Sequence, residues 1–78
     1  MLTIYTTPTC GYCEMAKKWC DENKISYCAV DITEYPEAKD LVLKKTGMLA
    51  VPVIQIENEF IVGFDKRRIQ ELLNKKPS

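Results

Sequence analysis

Leu2-Thr3-Ile4-Tyr5-Thr6, a short turn, and then Cys10-Gly11-Tyr12-Cys13 running on to Trp19-Cys20 read as a strand that feeds an amphipathic helix, with two cysteines at the junction. Plotted at about 100° per residue, Tyr12, Cys13, Met15, Ala16, Trp19 and Cys20 fall within roughly 160° of one another, and Glu14, Lys17, Lys18, Asp21 and Glu22 fill the remaining arc. The pattern predicts a core-facing helix over about residues 11–23. With Gly11 as its first residue, Cys10 sits where unpaired backbone N–H groups and the positive end of the helix dipole favour a thiolate over a thiol. The chain has no histidine, so activation has to come from such backbone groups rather than from an imidazole base. Cys10 is therefore the expected nucleophile. Cys13, one turn further on, is placed to attack a mixed disulfide formed at Cys10 and is the expected resolving thiol.

Outward from this junction, Asn23-Lys24 breaks the helical period and residues 25–31, Ile-Ser-Tyr-Cys-Ala-Val-Asp, read as a second strand. A strand-helix-strand unit of this kind favours parallel strands with a right-handed crossover, which puts the dithiol at the carboxyl end of the first strand. Pro36 suits a first helical turn, Ala38, Leu41, Val42 and Leu43 supply an apolar face, and Gly47 is a stop signal, so a second helix is expected over 36–46. Residues 51–56 and 60–62 read as a hairpin joined by Glu57-Asn58-Glu59, with Asn58 suited to the left-handed conformation of a tight turn. Asp65 can cap a last helix whose Ile69, Leu72 and Leu73 form the buried stripe, with Lys75-Lys76 matching its negative end. The order is β-α-β-α-β-β-α, an α/β domain spanning residues 1–78.

The 78 residues carry 11 basic and 11 acidic side chains, so no net field gathers nucleic acid or anionic lipid. No basic leader or membrane-length apolar stretch is visible, and a close cysteine pair beside a βα unit points to thiol chemistry in the cytoplasm rather than to a secreted disulfide framework. The four cysteines are spaced C-x2-C-x6-C-x7-C, without the second close pair or histidines that structural zinc sites use, and no metal is expected. Cys20, two turns after Cys13 on the same face, is expected to fill the core, whereas the alternation leaves the direction of Cys28 open. Tyr5, Trp19, Tyr27 and Phe60 are expected to pack on the core or the sheet, and the Lys66-Arg67-Arg68 cluster reads as a solvated face that can also serve an acidic partner.

These segments together resemble the glutaredoxin branch of the thioredoxin-fold family over nearly the whole chain. Thr6-Thr7-Pro8-Thr9-Cys10-Gly11-Tyr12-Cys13 is similar to the family's active-site segment, Ala50-Val51-Pro52 to its Thr-Val-Pro, and Val62-Gly63-Phe64-Asp65 to its Gly-Gly-x-Asp turn. The resemblance implies a four-stranded mixed sheet with three helices and a cis Pro52 opposite the dithiol. It also implies a backbone at Val51 free to pair with an extended substrate or glutathione, and a binding surface of Tyr12, Val51, Pro52, Gly63 and Asp65 around the catalytic Cys10 and Cys13. Departures fall on the family's glutathione-binding positions: Thr7 stands where many members carry lysine, Ala50 replaces the threonine, Val62 the first glycine and Lys66 a second aspartate.

What the resemblance implies is a monomeric thiol-disulfide oxidoreductase without a bound cofactor, reducing protein or glutathione mixed disulfides. Either glutathione or thioredoxin reductase is open as its source of electrons. Short length and the Gly-Phe turn are similar to redoxins that feed ribonucleotide reductase. Gly11, in place of the commoner proline, is similar to members that share an iron–sulfur cluster between two subunits through glutathione, the alternative reading.

Overall fold

A computed structural model describes residues 2–74. Its elements are β1 (Leu2–Thr6), α1 (Gly11–Glu22), β2 (Tyr27–Asp31), α2 (Pro36–Thr46), β3 (Val53–Ile56), β4 (Glu59–Val62) and α3 (Lys66–Asn74). The sheet runs in the order β2-β1-β3-β4. β1 pairs parallel with β2, Leu2 opposite Tyr27, and antiparallel with β3, Tyr5 opposite Val53; β4 then adds antiparallel to β3. This is the expected element order and the expected mixed sheet of four strands with three helices. Lys75-Lys76 lies outside the described residues.

The period-2 alternation of β1 divides the molecule into two apolar layers. Leu2 and Ile4, with Ile54, Ile56 and Ile61, face α1 and α3, where Ala16, Trp19, Cys20 and Ile69 close the larger core. Tyr5 and Val53 face the other way, against Ile32 and Val42, with Ala38 and Leu41 of α2 packed around them. The Tyr5 hydroxyl donates to Gln55 Oε1 at 2.6 Å and its ring stacks on Phe60, so the phenol is satisfied where it enters the smaller core. Among the described residues no buried side-chain N or O lacks a partner.

Several boundaries differ from the sequence reading, each for a local reason. β2 starts at Tyr27 rather than Ile25, because Ile25 closes α1: its N–H donates to Cys20 O at 2.8 Å and that of Lys24 to Asp21 O at 3.2 Å, a Schellman arrangement with Lys24 in the left-handed region at φ 56°. β3 starts at Val53 rather than Val51, since Pro52 has no N–H to give the ladder. The hairpin loop is Glu57-Asn58 alone, with Ile56 opposite Glu59, and it is Glu57 rather than Asn58 that turns left-handed (φ 55°). Gln55 Nε2 reaches the Glu57 carbonyl at 2.8 Å and steadies that turn. Leu43 is exposed, not part of the α2 face, because it lies about 100° around the helix from the buried Val42. Gly47 ends α2 as expected, at φ 79°.

Lys24 holds a conformation that only glycine adopts without steric penalty, so Lys24→Gly is expected to raise stability by about 0.5–1 kcal/mol. Urea unfolding of the two proteins, with unchanged m-values, checks it; a loss of stability would show that the lysine side chain contributes more than its backbone strain removes.

Candidate dithiol site

β1 ends at Thr6, and the chain crosses to α1 through Thr7, Pro8 and Thr9, with the Cys10 N–H donating to Thr7 O at 3.4 Å. Cys10 is the N-cap of α1, with extended backbone (φ −93°, ψ 109°), and its sulfur accepts the N–H of Cys13 at 3.2 Å. A sulfur in the place of the usual serine or aspartate oxygen takes one of the orphan donors of the first turn. Cys10 is partly exposed, while Cys13 is fully buried, 0% exposed. Burial holds the Cys13 thiol above the ordinary thiol range, and the hydrogen-bonded Cys10 beside it pushes in the same direction; hydrogen bonding to the Thr6 side chain and to the Thr7 backbone N–H partly offsets this. The pair is thus asymmetric: a partly exposed cysteine whose sulfur receives a backbone donor, and a buried neighbour that stays protonated.

The other expected residues gather at the same end of the sheet. Tyr5 pairs with Val53, so Pro52 follows on beside the end of β1, and the Val51–Pro52 peptide is cis. Val51 lies outside the ladder, which starts at Val53. Pro52 is buried, and its carbonyl accepts the N–H of Gly63 at 2.8 Å, which ties the turn after β4 to the start of β3. Gly63 adopts φ 88°, a conformation that strains any residue with a Cβ. Asp65 caps α3, accepting the Arg68 N–H at 3.2 Å.

Tyr12, Gly63 and Asp65 line one open groove of about 730 Å³ together with Met15, Val62, Phe64, Lys66 and Arg67; Val51 and Pro52 are not part of its lining. Met15 and Phe64 go beyond the expected binding residues, whereas Val62 stands at one of the positions the resemblance linked to glutathione, and Lys66 and Arg67 belong to the basic cluster able to serve an acidic partner. Tyr12 is 66% exposed, in keeping with a residue of the binding surface, and Met15, expected on the core-facing arc of α1, is 53% exposed, because that side of the helix faces this groove while Cys13 and Ala16 face the sheet. Phe64 lays its ring edge-on to Trp19 with centroids 5.9 Å apart, so the turn is anchored on the larger core. The signal for it was present in the quoted Val62-Gly63-Phe64-Asp65 segment, where an aromatic follows a turn glycine. Of the other two cysteines, Cys20 is buried in the core and Cys28 is exposed on β2. No helix among the described residues is long and apolar enough to cross a membrane.

A cysteine-capped helix at the end of a central parallel strand, with a second cysteine one turn inside, defines a thiol redox protein of the thioredoxin-fold class. Sequence comparison narrows that: residues 2–61 match the Glutaredoxin family, and the chain belongs to it. It is similar to a glutaredoxin-like 8.6 kDa protein in the rubredoxin operon of Clostridium pasteurianum, 32% identical over 75 residues that cover 96% of this chain and 100% of the relative. The glutaredoxin-like protein NrdH of Lactococcus lactis is 33% identical over 92% of this chain and 99% of its own. Among solved structures, the thioredoxin-like protein BC3987 superposes with a TM-score of 0.82 at 25% identity, covering 92% of this chain and 99% of that one. The glutaredoxin of Methanosarcina mazei Go1 does so with a TM-score of 0.82 at 26% identity, covering 92% and 76%.

Burial raises the thiols of Cys13 and Cys20, so the folded protein keeps protons that the unfolded chain gives up in the ordinary thiol range. Their contribution to the stability of the reduced protein is therefore complete below about pH 8 and falls as pH rises through the thiol range. Urea midpoints between about pH 7 and pH 10 should decline, and Cys20→Ala should make the decline shallower. A pH-independent midpoint would show that these thiols ionise alike in both states.

Proposed function

We propose that the protein is a dithiol-disulfide oxidoreductase that passes two electrons to disulfide-containing proteins. The observation that carries this is the hydrogen bond from the Cys13 N–H to the Cys10 sulfur, joined to the contrast between the accessible Cys10 and the buried, protonated Cys13. The Cys10 thiolate attacks one sulfur of the target, the target's S–S bond breaks, and the first target thiolate leaves. The Cys13 thiol then gives up its proton and attacks the Cys10 sulfur; the second target thiolate departs and takes up a proton. The target gains two electrons and two protons, and the protein is left with a Cys10–Cys13 disulfide. Tyr12, Val51, Pro52, Gly63 and Asp65 hold the substrate around the nucleophile, Val51 through its backbone.

Restoring the dithiol needs a reductant, and we assign that role to thioredoxin reductase with NADPH rather than to glutathione. A lysine at position 7 would pair with a glutathione carboxylate; losing a charge-assisted contact of that kind costs about 1.5–3 kcal/mol in a desolvated site. Lys66 stands in place of an aspartate at the groove as well. The similarity to the Lactococcus lactis protein named NrdH supports the same choice, and ribonucleotide reductase is the expected recipient. The protein acts as a monomer in the reducing cytoplasm, where its resting state is the dithiol.

Cys10→Ser should abolish disulfide reduction, and Cys13→Ser should accumulate mixed disulfides at Cys10, detectable by mass spectrometry without reductant. Multi-turnover dithiol activity in Cys13→Ser would reverse the assigned roles. Parallel assays with NADPH and thioredoxin reductase, and with NADPH, glutathione and glutathione reductase, should show turnover in the first only.

A further inference from the structure

The groove beside Tyr12 is apolar along its length and cationic at one end. Tyr12, Met15, Val62 and Phe64 supply the apolar surface, and Lys66 and Arg67, the first residues of α3, supply the charge. Asp65 is the one acidic side chain in the lining, and its carboxylate is committed to the Arg68 N–H. Arg68, turned away from the groove, lies 3.9 Å from Glu59 and 4.0 Å from Glu71. Lys66 and Arg67, by contrast, have no ion pair among the described residues, and Lys66 Nζ sits 5.7 Å from the centre of the Phe64 ring. The positive end of the α3 dipole adds to both charges instead of offsetting them. In a chain whose formal charges cancel, two cations against a single carboxylate over exposed apolar surface leave a local field of positive sign that selects for one sign of ligand.

We propose that this groove selects protein substrates whose cysteine is flanked by an apolar side chain and then by acidic residues, the apolar group lying between Tyr12 and Phe64 and the carboxylates against Lys66 and Arg67. The proposal rests on the dithiol reading above and names its substrate class. Tyr12 lies between the two cysteines in the chain, so a segment bound through its sulfur at Cys10 enters the groove directly.

The test uses reduced protein in single turnover with symmetric peptide disulfides, Cys-Leu-Glu-Glu against Cys-Leu-Lys-Lys, beside oxidised glutathione and bis(2-hydroxyethyl) disulfide. The acidic peptide should react roughly fivefold to tenfold faster than the basic one at low salt, the advantage shrinking in about 0.5 M NaCl. Lys66→Glu combined with Arg67→Glu should reverse the order, and Lys66→Gln with Arg67→Gln should erase it. Equal rates for the two peptides alongside normal reduction of the small disulfide would overturn this inference and leave the dithiol reading standing. Failure to reduce even the small disulfide would overturn the dithiol reading and this inference with it.

Discussion

One hydrogen bond, from the backbone N–H of Cys13 to the sulfur of Cys10, links the fold to the chemistry. It exists because α1 begins at Gly11, which makes the cysteine before it the cap, and because the chain reaches that point only three residues after leaving the central strand. A helix starting one residue earlier would place Cys10 inside the first turn and aim the same donor elsewhere. A helix starting later would leave both sulfurs in an irregular loop. The burial of Cys13 follows from the same geometry: one turn in, its side chain points down beside Thr6 at the end of the sheet.

The surface around the nucleophile depends on two ties made across the sheet. The Gly63 N–H bonded to the Pro52 carbonyl brings the turn after β4 to the start of β3, and Phe64 against Trp19 holds that turn down on α1. Three segments, α1, the start of β3 and the turn after β4, thereby share one rim. Its apolar side chains Tyr12 and Met15 remain exposed because they lie on the side of α1 away from the buried Cys13 and Ala16. Its charge comes from a helix start that carries lysine and arginine where the dipole favours acids, an arrangement unfavourable for α3 in isolation and useful for holding an anionic partner.

Much of this was legible in the chain. The strand-to-helix switch at Thr6 to Gly11, the stop at Gly47, the cap at Asp65 and the element order all rest on local periodicity and on residues with strong backbone preferences, and such signals survive into the fold. The misreadings share a different origin. Met15 and Leu43 are apolar residues on apolar arcs that nothing covers, and Ile25 is a strand former taken over by the closing bonds of a helix. Glu57 rather than Asn58 turns left-handed because the register of the hairpin, not the preference of one residue, sets where the two-residue loop falls.

The sequence alone determined the dithiol and its place at a helix start, since both follow from the identity and spacing of neighbouring residues. It also determined the family, through three short segments scattered along the chain. Only the tertiary structure decided which cysteine is accessible, which way Cys28 faces, and that Met15, Val62, Phe64 and Arg67 meet beside Tyr12. Accessibility and convergence depend on which surfaces remain uncovered once strands and helices have packed, and no local pattern records that.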